Sequence, residues 1–184
     1  MKNFKPKAWV LPQPVLIIGT YNADGTPNAM NAAWGGQWDY EEIFISLGSH
    51  ATTDNLNRCG EFTVAFATEE TLVASDYVAR KQTDKVERTG WKSAKGEHVN
   101  APVFGCFPMT MECRVKEKIH ESATGYYLVA EIVNIVCDEK YLGDDGKPQI
   151  EKMDLITFDP IHNGYIALGP RVGNAFHDGL QWKA

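Results

Sequence analysis

The 184-residue chain lacks most of the features that settle a protein's role at once. No apolar run approaches the roughly 18–20 residues of a membrane span, so no spanning helix is expected. There is no basic cluster and the net charge is −6, which argues against nucleic acid and anionic membrane as partners. The four cysteines, Cys59, Cys106, Cys113 and Cys137, are widely spaced, with no CxxC pair and no zinc spacing. Each reads as a small reduced hydrophobe. No GxGxxG follows a strand, and there is no GxxxxGK(S/T), HExxH or GxSxG, which excludes a Rossmann site, a P-loop and two familiar hydrolase machineries. The five histidines, His50, His98, His120, His162 and His177, form no ligand pair along the chain, and no metal site is expected. The opening MKNFKPKAWVLPQPV has lysines but neither an apolar run nor a small-residue cleavage site, so no secretion signal is expected and the location expected is the cytoplasm.

What is present is ordinary in amount and specific in order. With 43% hydrophobic and 23% charged residues, the chain suits a single domain over 1–184 with a sizeable core. Pro6, Pro12 and Pro14 make residues 1–14 an extended lead-in. Residues 15–20, VLIIGT, are a buried strand by length and β-branching. Asp24-Gly25 turns the chain, residues 28–34 return as the hairpin partner, and Gly35-Gly36 is expected to break that strand. Ile43, Ile45 and Leu47 alternate with Phe44 and Ser46 in a further strand. Thr52 or Thr53 is expected to cap a helix that runs through Cys59 and closes at Gly60. A strand follows over 62–67, then a helix from Thr68 to about Ala79, and a polar loop over 80–94 with one helical turn at most. Met109, Met111, Cys113 and Val115 alternate with Thr110, Glu112, Arg114 and Lys116, the pattern of a half-exposed strand, and residues 126–136 are its antiparallel neighbour. Residues 155–158 are ambiguous and 165–169 form the last strand. About seven strands joined by hairpin-length links predict a mainly β protein: a partly closed antiparallel barrel with peripheral helices.

One stretch carries the functional content. Residues 22–66 hold a strand ending at Trp34, a second strand, and the polar run Ser49-His50-Ala51-Thr52-Thr53 at a helix start. A helix start with free backbone N–H groups and hydroxyls suits a phosphate, and a tryptophan suits a flat ring. The competing readings are an ordinary capped helix and a core tryptophan at a strand end. No acid, base or nucleophile is evident, which agrees with a protein that leaves the difficult chemistry to an organic cofactor.

At these residues the chain resembles the flavin reductase-like family, which includes flavoredoxin. The likeness rests on PQPVLIIGTYNADGTPNAMNAAW and FISLGSHATTDNLNRCGEFTVAF, then DKVERTGW, APVFGCFPMTMECRV, YYLVAEIVNIV and GYIALGPRVGNAF, in that order. The resemblance implies a split antiparallel β-barrel that binds FMN non-covalently at a homodimer interface. It implies reduction of flavin by NAD(P)H, with hydride passing to flavin N5, or, as the alternative, an electron carrier reduced by a redox protein. By position, Asn28, Asn31, Ala32, Ala33 and Trp34 would line the flavin ring. Ser46, Leu47, Gly48, Ser49, His50 and Thr52 would hold the ribityl chain and phosphate, with Lys85 approaching the flavin and Tyr165 and Leu168 near the site. The chain departs from the family pattern at His50-Ala51-Thr52, where many members have a basic-acidic-Thr run, so the phosphate cation is expected to be weak. It departs again at Ala33 and Trp34, where many members carry a proline.

Overall fold

The computed structural model describes residues 1–80 and 84–182. Among these, the strands in chain order are β1 (Gln13–Pro14), β2 (Leu16–Tyr21), β3 (Pro27–Ala32), β4 (Gly35–Asp39), β5 (Glu42–Gly48) and β6 (Glu61–Phe66). They continue with β7 (Ser93–Lys95), β8 (Pro102–Phe104), β9 (Met109–Ser122), β10 (Gly125–Cys137), β11 (Ile156–Asp159) and β12 (Gly164–Ala167). Three α-helices lie between them: α1 (Ala51–Cys59), α2 (Leu72–Tyr77) and α3 (Lys85–Thr89). None of the helices is long and apolar enough to cross a membrane.

The main sheet has seven strands in the order β3-β2-β6-β9-β10-β5-β4. Every pairing in it is antiparallel. Its two edge strands, β3 and β4, are successive in the chain, and only Ala33 and Trp34 separate them. Two residues span roughly 7 Å, whereas seven strands laid flat at about 4.8 Å would set the edges far apart. The sheet must therefore curl until its edges meet. The fold is a split antiparallel β-barrel, as the sequence implies. Gly35-Gly36 does not break a strand; Gly35 begins β4. A Cβ at Gly35 would lie 2.8 Å from the Phe44 carbonyl oxygen and 3.0 Å from Leu16 Cδ1, so the crossing at the seam needs glycine.

The strand β2 is apolar at successive residues because both of its faces are covered. Leu16 and Ile18 point into the barrel with Ile45, Leu56, Phe62, Val64 and Leu128. Val15, before the strand, and Ile17 face outward, where Val78, Val86, Phe104 and Phe107 cover them. The helix α1 ends as expected, with Gly60 at φ 67° donating its N–H to Leu56 O. It begins earlier than expected: His50 is the N-cap, and Thr52 and Thr53 lie in the first turn. The helix α2 is shorter than expected, because Thr68 pairs with Leu155 and with Thr71 and so stays outside it. The expected loop over 80–94 contains α3 and most of β7; its residues 81–83 lie outside the described residues.

The expected half-exposed strand is covered on both faces over its first half, since Thr110 and Glu112 are as buried as Met111 and Cys113. The reason is a local one. Burial alone would raise the carboxyl of Glu112, but hydrogen bonds from Asn134 Nδ2 and the N–H groups of His98, Glu97 and Val99 outweigh it and hold the group below the usual range. These bonds fold the loop before Ala101 down over the strand. Because the folded-state pKa lies below 4.5, this stabilisation is present above that pH and is lost as the pH falls through the lowered value. We expect Glu112→Gln to cost about 1–3 kcal/mol in urea unfolding at neutral pH, and the difference from wild type to shrink under acid conditions. Equal stability at neutral pH would remove this account.

Candidate functional site

The barrel seam and the start of α1 lie on one side of the molecule. At that start the N-cap His50 has extended backbone angles and makes no side-chain capping bond. The first backbone bond of the helix runs from Asp54 N to His50 O, so the N–H groups of the preceding turn have no intrahelical acceptor. The two threonines behind them are fixed. Asn28 Nδ2 donates to Thr52 Oγ1 at 2.9 Å and to Thr20 Oγ1 at 3.1 Å, and Thr53 Oγ1 donates to Gly48 O at 2.5 Å. Because Thr52 accepts from Asn28, its own hydroxyl proton remains free to donate. The His50 ring packs over Gly48, where a Cβ would come within 3.1 Å of Nε2.

Three bonds hold α2 and α3 beside this turn. Asn31 Nδ2 of β3 donates to Ser75 O at 2.9 Å, Tyr165 OH of β12 donates to Asp76 Oδ1 at 2.8 Å, and Lys85 Nζ donates to Val78 O at 3.0 Å. The result is a cavity of about 350 Å³ between Ser49, His50 and Thr52 on one side and Arg80 and Lys85 on the other. Lys85 is 6% exposed, and burial pulls its ammonium below the ordinary lysine value. Its one hydrogen-bond partner among the described residues is a neutral carbonyl, which leaves two N–H donors for a ligand. Asp54 also lines the cavity and offsets one of the two cations.

A second cavity of about 460 Å³ begins at His50 and ends at Trp34, with Ser46, Leu47, Gly48 and Tyr127 in its walls. Trp34 is 68% exposed, so it is a surface shelf and not a core tryptophan. Trp91, by contrast, packs against Phe104 and Phe107. The expected site residues thus fall into two groups that share His50: Asn31, Ser49, Thr52 and Lys85 at one end, and Ser46, Leu47, Gly48 and Trp34 at the other. Asn28, Ala32 and Ala33 are absent from these walls. Asn28 sits behind Thr52 and positions it, Ala32 faces the barrel core, and Ala33 is half-buried in the seam.

Sequence reasoning missed two residues. Arg80, just past α2, brings a cation that the motif at α1 lacks. His120 lies in the Trp34 cavity at φ 52°. Tyr127 pairs with Ile119 while Gly125 pairs with Ser122, so His120 belongs to a β-bulge, a device that re-aims a side chain. Neither has a local signature; each is placed by a neighbouring element. Among the described residues, no three His, Cys, Asp or Glu side chains gather to hold a metal ion.

An antiparallel barrel closed at edge strands that follow one another in the chain is a split barrel, and here an exposed tryptophan stands at its seam. The chain belongs to the flavin reductase like domain family, a flavin-binding family whose model matches residues 9–149. Flavoredoxin of Desulfovibrio vulgaris (Miyazaki F) is 32% identical, with 97% of this chain and 99% of that one covered and a TM-score of 0.90. The flavoredoxin of Methanosarcina acetivorans is 28% identical, with 98% and 99% covered and a TM-score of 0.87. An NADH:FAD oxidoreductase of Streptomyces globisporus, 14% identical over 89% of this chain and 90% of its own, shares the fold at a TM-score of 0.69. No curated protein sequence matches the chain.

The Tyr165 bond that ties β12 to α2 has a titration signature. Burial, and then the carboxylate of Asp76, push the phenol up to about 12. The stabilisation is therefore present below pH 10 and is lost as the pH rises from 10 through about 12. In an alkaline titration followed by tyrosinate absorbance, Tyr165→Phe should delete a late transition near pH 12. Loss of a transition near 10 instead would show that Tyr165 is neither buried nor bonded to Asp76 as described.

Proposed function

We propose that the chain is a flavoprotein that binds FMN non-covalently and acts as an NAD(P)H-dependent flavin reductase. The observation that carries this reading is the donor set at the start of α1. An uncapped helix N-terminus, the free Thr52 hydroxyl, and the unspent donors of buried Lys85 converge on one cavity, and a phosphate monoester satisfies all three. The residues fit FMN in this respect, with Arg80 offsetting the repulsion from Asp54. Lys85, Thr52 and the first-turn N–H groups would hold the phosphate, Ser46 and Ser49 the ribityl hydroxyls, and Trp34 would offer an apolar face to the ring. FMN supplies hydride acceptance and electron release when bound, so the protein's part is to bind, orient and exclude water.

A second reading is favoured by one finding: two solved structures, 32% and 28% identical to the chain over nearly its whole length, are flavoredoxins. On that reading the chain is an electron carrier reduced by a redox protein. In either case we place the chain in the cytoplasm, and we infer a homodimer. Val172, Phe176, Leu180 and Trp182 support the dimer, since they stand exposed on the C-terminal segment and would be covered by a second copy. A monomer in sedimentation equilibrium would remove that part.

Titration with FMN and with riboflavin, followed by flavin fluorescence, tests the phosphate seat. Lys85→Met or Thr52→Ala should weaken FMN by roughly 10–100-fold and leave riboflavin nearly unchanged. Equal losses for both ligands would contradict the assignment. Anaerobic mixing of the FMN-loaded protein with NADH, then NADPH, separates the two roles. Bleaching faster than that of free FMN supports the reductase; bleaching no faster than free FMN leaves the carrier.

A further inference from the structure

Trp34 also lines a third hollow, larger than the two that make up the cradle. Its volume is about 720 Å³, within the range of small-molecule sites. Gly35 and Phe44 of β4 and β5, Tyr127 of β10 and Phe158 of β11 line it. Much of the remaining lining is the N-terminal lead-in, Lys7 and Trp9 included. The lead-in is held where it is by β1, which pairs Gln13 with Phe158 and receives a 2.7 Å bond from Thr157 Oγ1 to Gln13 O. Gln13 Nε2 in turn donates to Val10 O, and Phe4 packs edge-on against Trp9.

Five aromatic side chains line this space: Trp9, Trp34, Phe44, Tyr127 and Phe158. The one charged residue among those that line it is Lys7, and there is no carboxylate. Aromatic walls select a flat apolar body, and a lone cation among them selects an anionic substituent on it. We propose that this hollow binds a small planar aromatic carboxylate, its ring between Trp9, Trp34 and Phe158 and its carboxylate toward Lys7. Binding there does not depend on the flavin. That the molecule is a substrate rests on the flavin reading, because Trp34, Ser46 and Tyr127 line both this hollow and the cradle.

The test uses the full chain, with 2-naphthoate and its uncharged amide as probes in calorimetric titrations. Naphthoate should bind saturably and several-fold more tightly than the amide. Trp9→Ala should weaken both by about tenfold or more, and Lys7→Gln should abolish the preference for naphthoate. FMN titrations of the same variants should match wild type, since neither residue lines the cradle. Absence of saturable naphthoate binding below about 1 mM overturns the proposal, as does a Trp9→Ala variant that binds like wild type. Binding that appears only after the C-terminal segment from Leu168 onward is deleted also overturns it, because the hollow would then be a contact with a second copy. A chain that binds naphthoate but takes up no FMN leaves this site standing and removes the flavin reading.

Discussion

Everything in this structure depends on a link of two residues. Strands β3 and β4 are the outer edges of a seven-stranded sheet, yet only Ala33 and Trp34 separate them in the chain. That link forces the sheet into a barrel and places a bulky, exposed side chain at the seam. Closure also brings β3, which carries Asn28 and Asn31, alongside the end of β5, from which α1 departs. A flat sheet with the same strands would hold these groups on opposite borders.

The seam places the two cavities that meet at His50, and the helices bring cations to one of them. The start of α1 contributes N–H groups and hydroxyls but no firm cation. Cations arrive from α2 and α3, and those short helices cannot hold themselves in place: α2 has six residues and α3 five. Side-chain bonds from Asn31, Tyr165 and Lys85 fix them. Lys85 illustrates the balance. Burial destabilises its charge and a single carbonyl compensates only in part, which leaves the site short of negative charge. The run at α1 brings no lysine or arginine of its own to the cavity; Arg80 and Lys85 come from other elements.

The strands and turns were legible wherever one local preference dominated. The apolar run at β2, the turn at Asp24-Gly25, and Gly60 at the end of α1 follow from burial and backbone sterics within a few residues. The errors share a different cause. Gly35-Gly36 resembles a breaker, but the glycine is needed for close approach to Phe44 and Leu16. Glu112 resembles a solvent-facing residue, but a loop folds down to bond it. Thr68 resembles a helix cap, but it pairs with Leu155, far along the chain. In each case a residue distant in sequence overrode the local preference.

By itself the sequence determined the mainly β architecture, the hydroxyl-rich start of α1 and the family, because alternation, turn chemistry and the order of motifs are properties of contiguous residues. Only the tertiary structure decided that Trp34 is a shelf on the seam and not a core residue. It alone decided that Asn28 stands behind Thr52 and that Arg80 and His120 line the two cavities that meet at His50. The physical reason is that burial and electrostatic pairing are set by whichever groups arrive from elsewhere in the chain, and barrel closure governs that arrival.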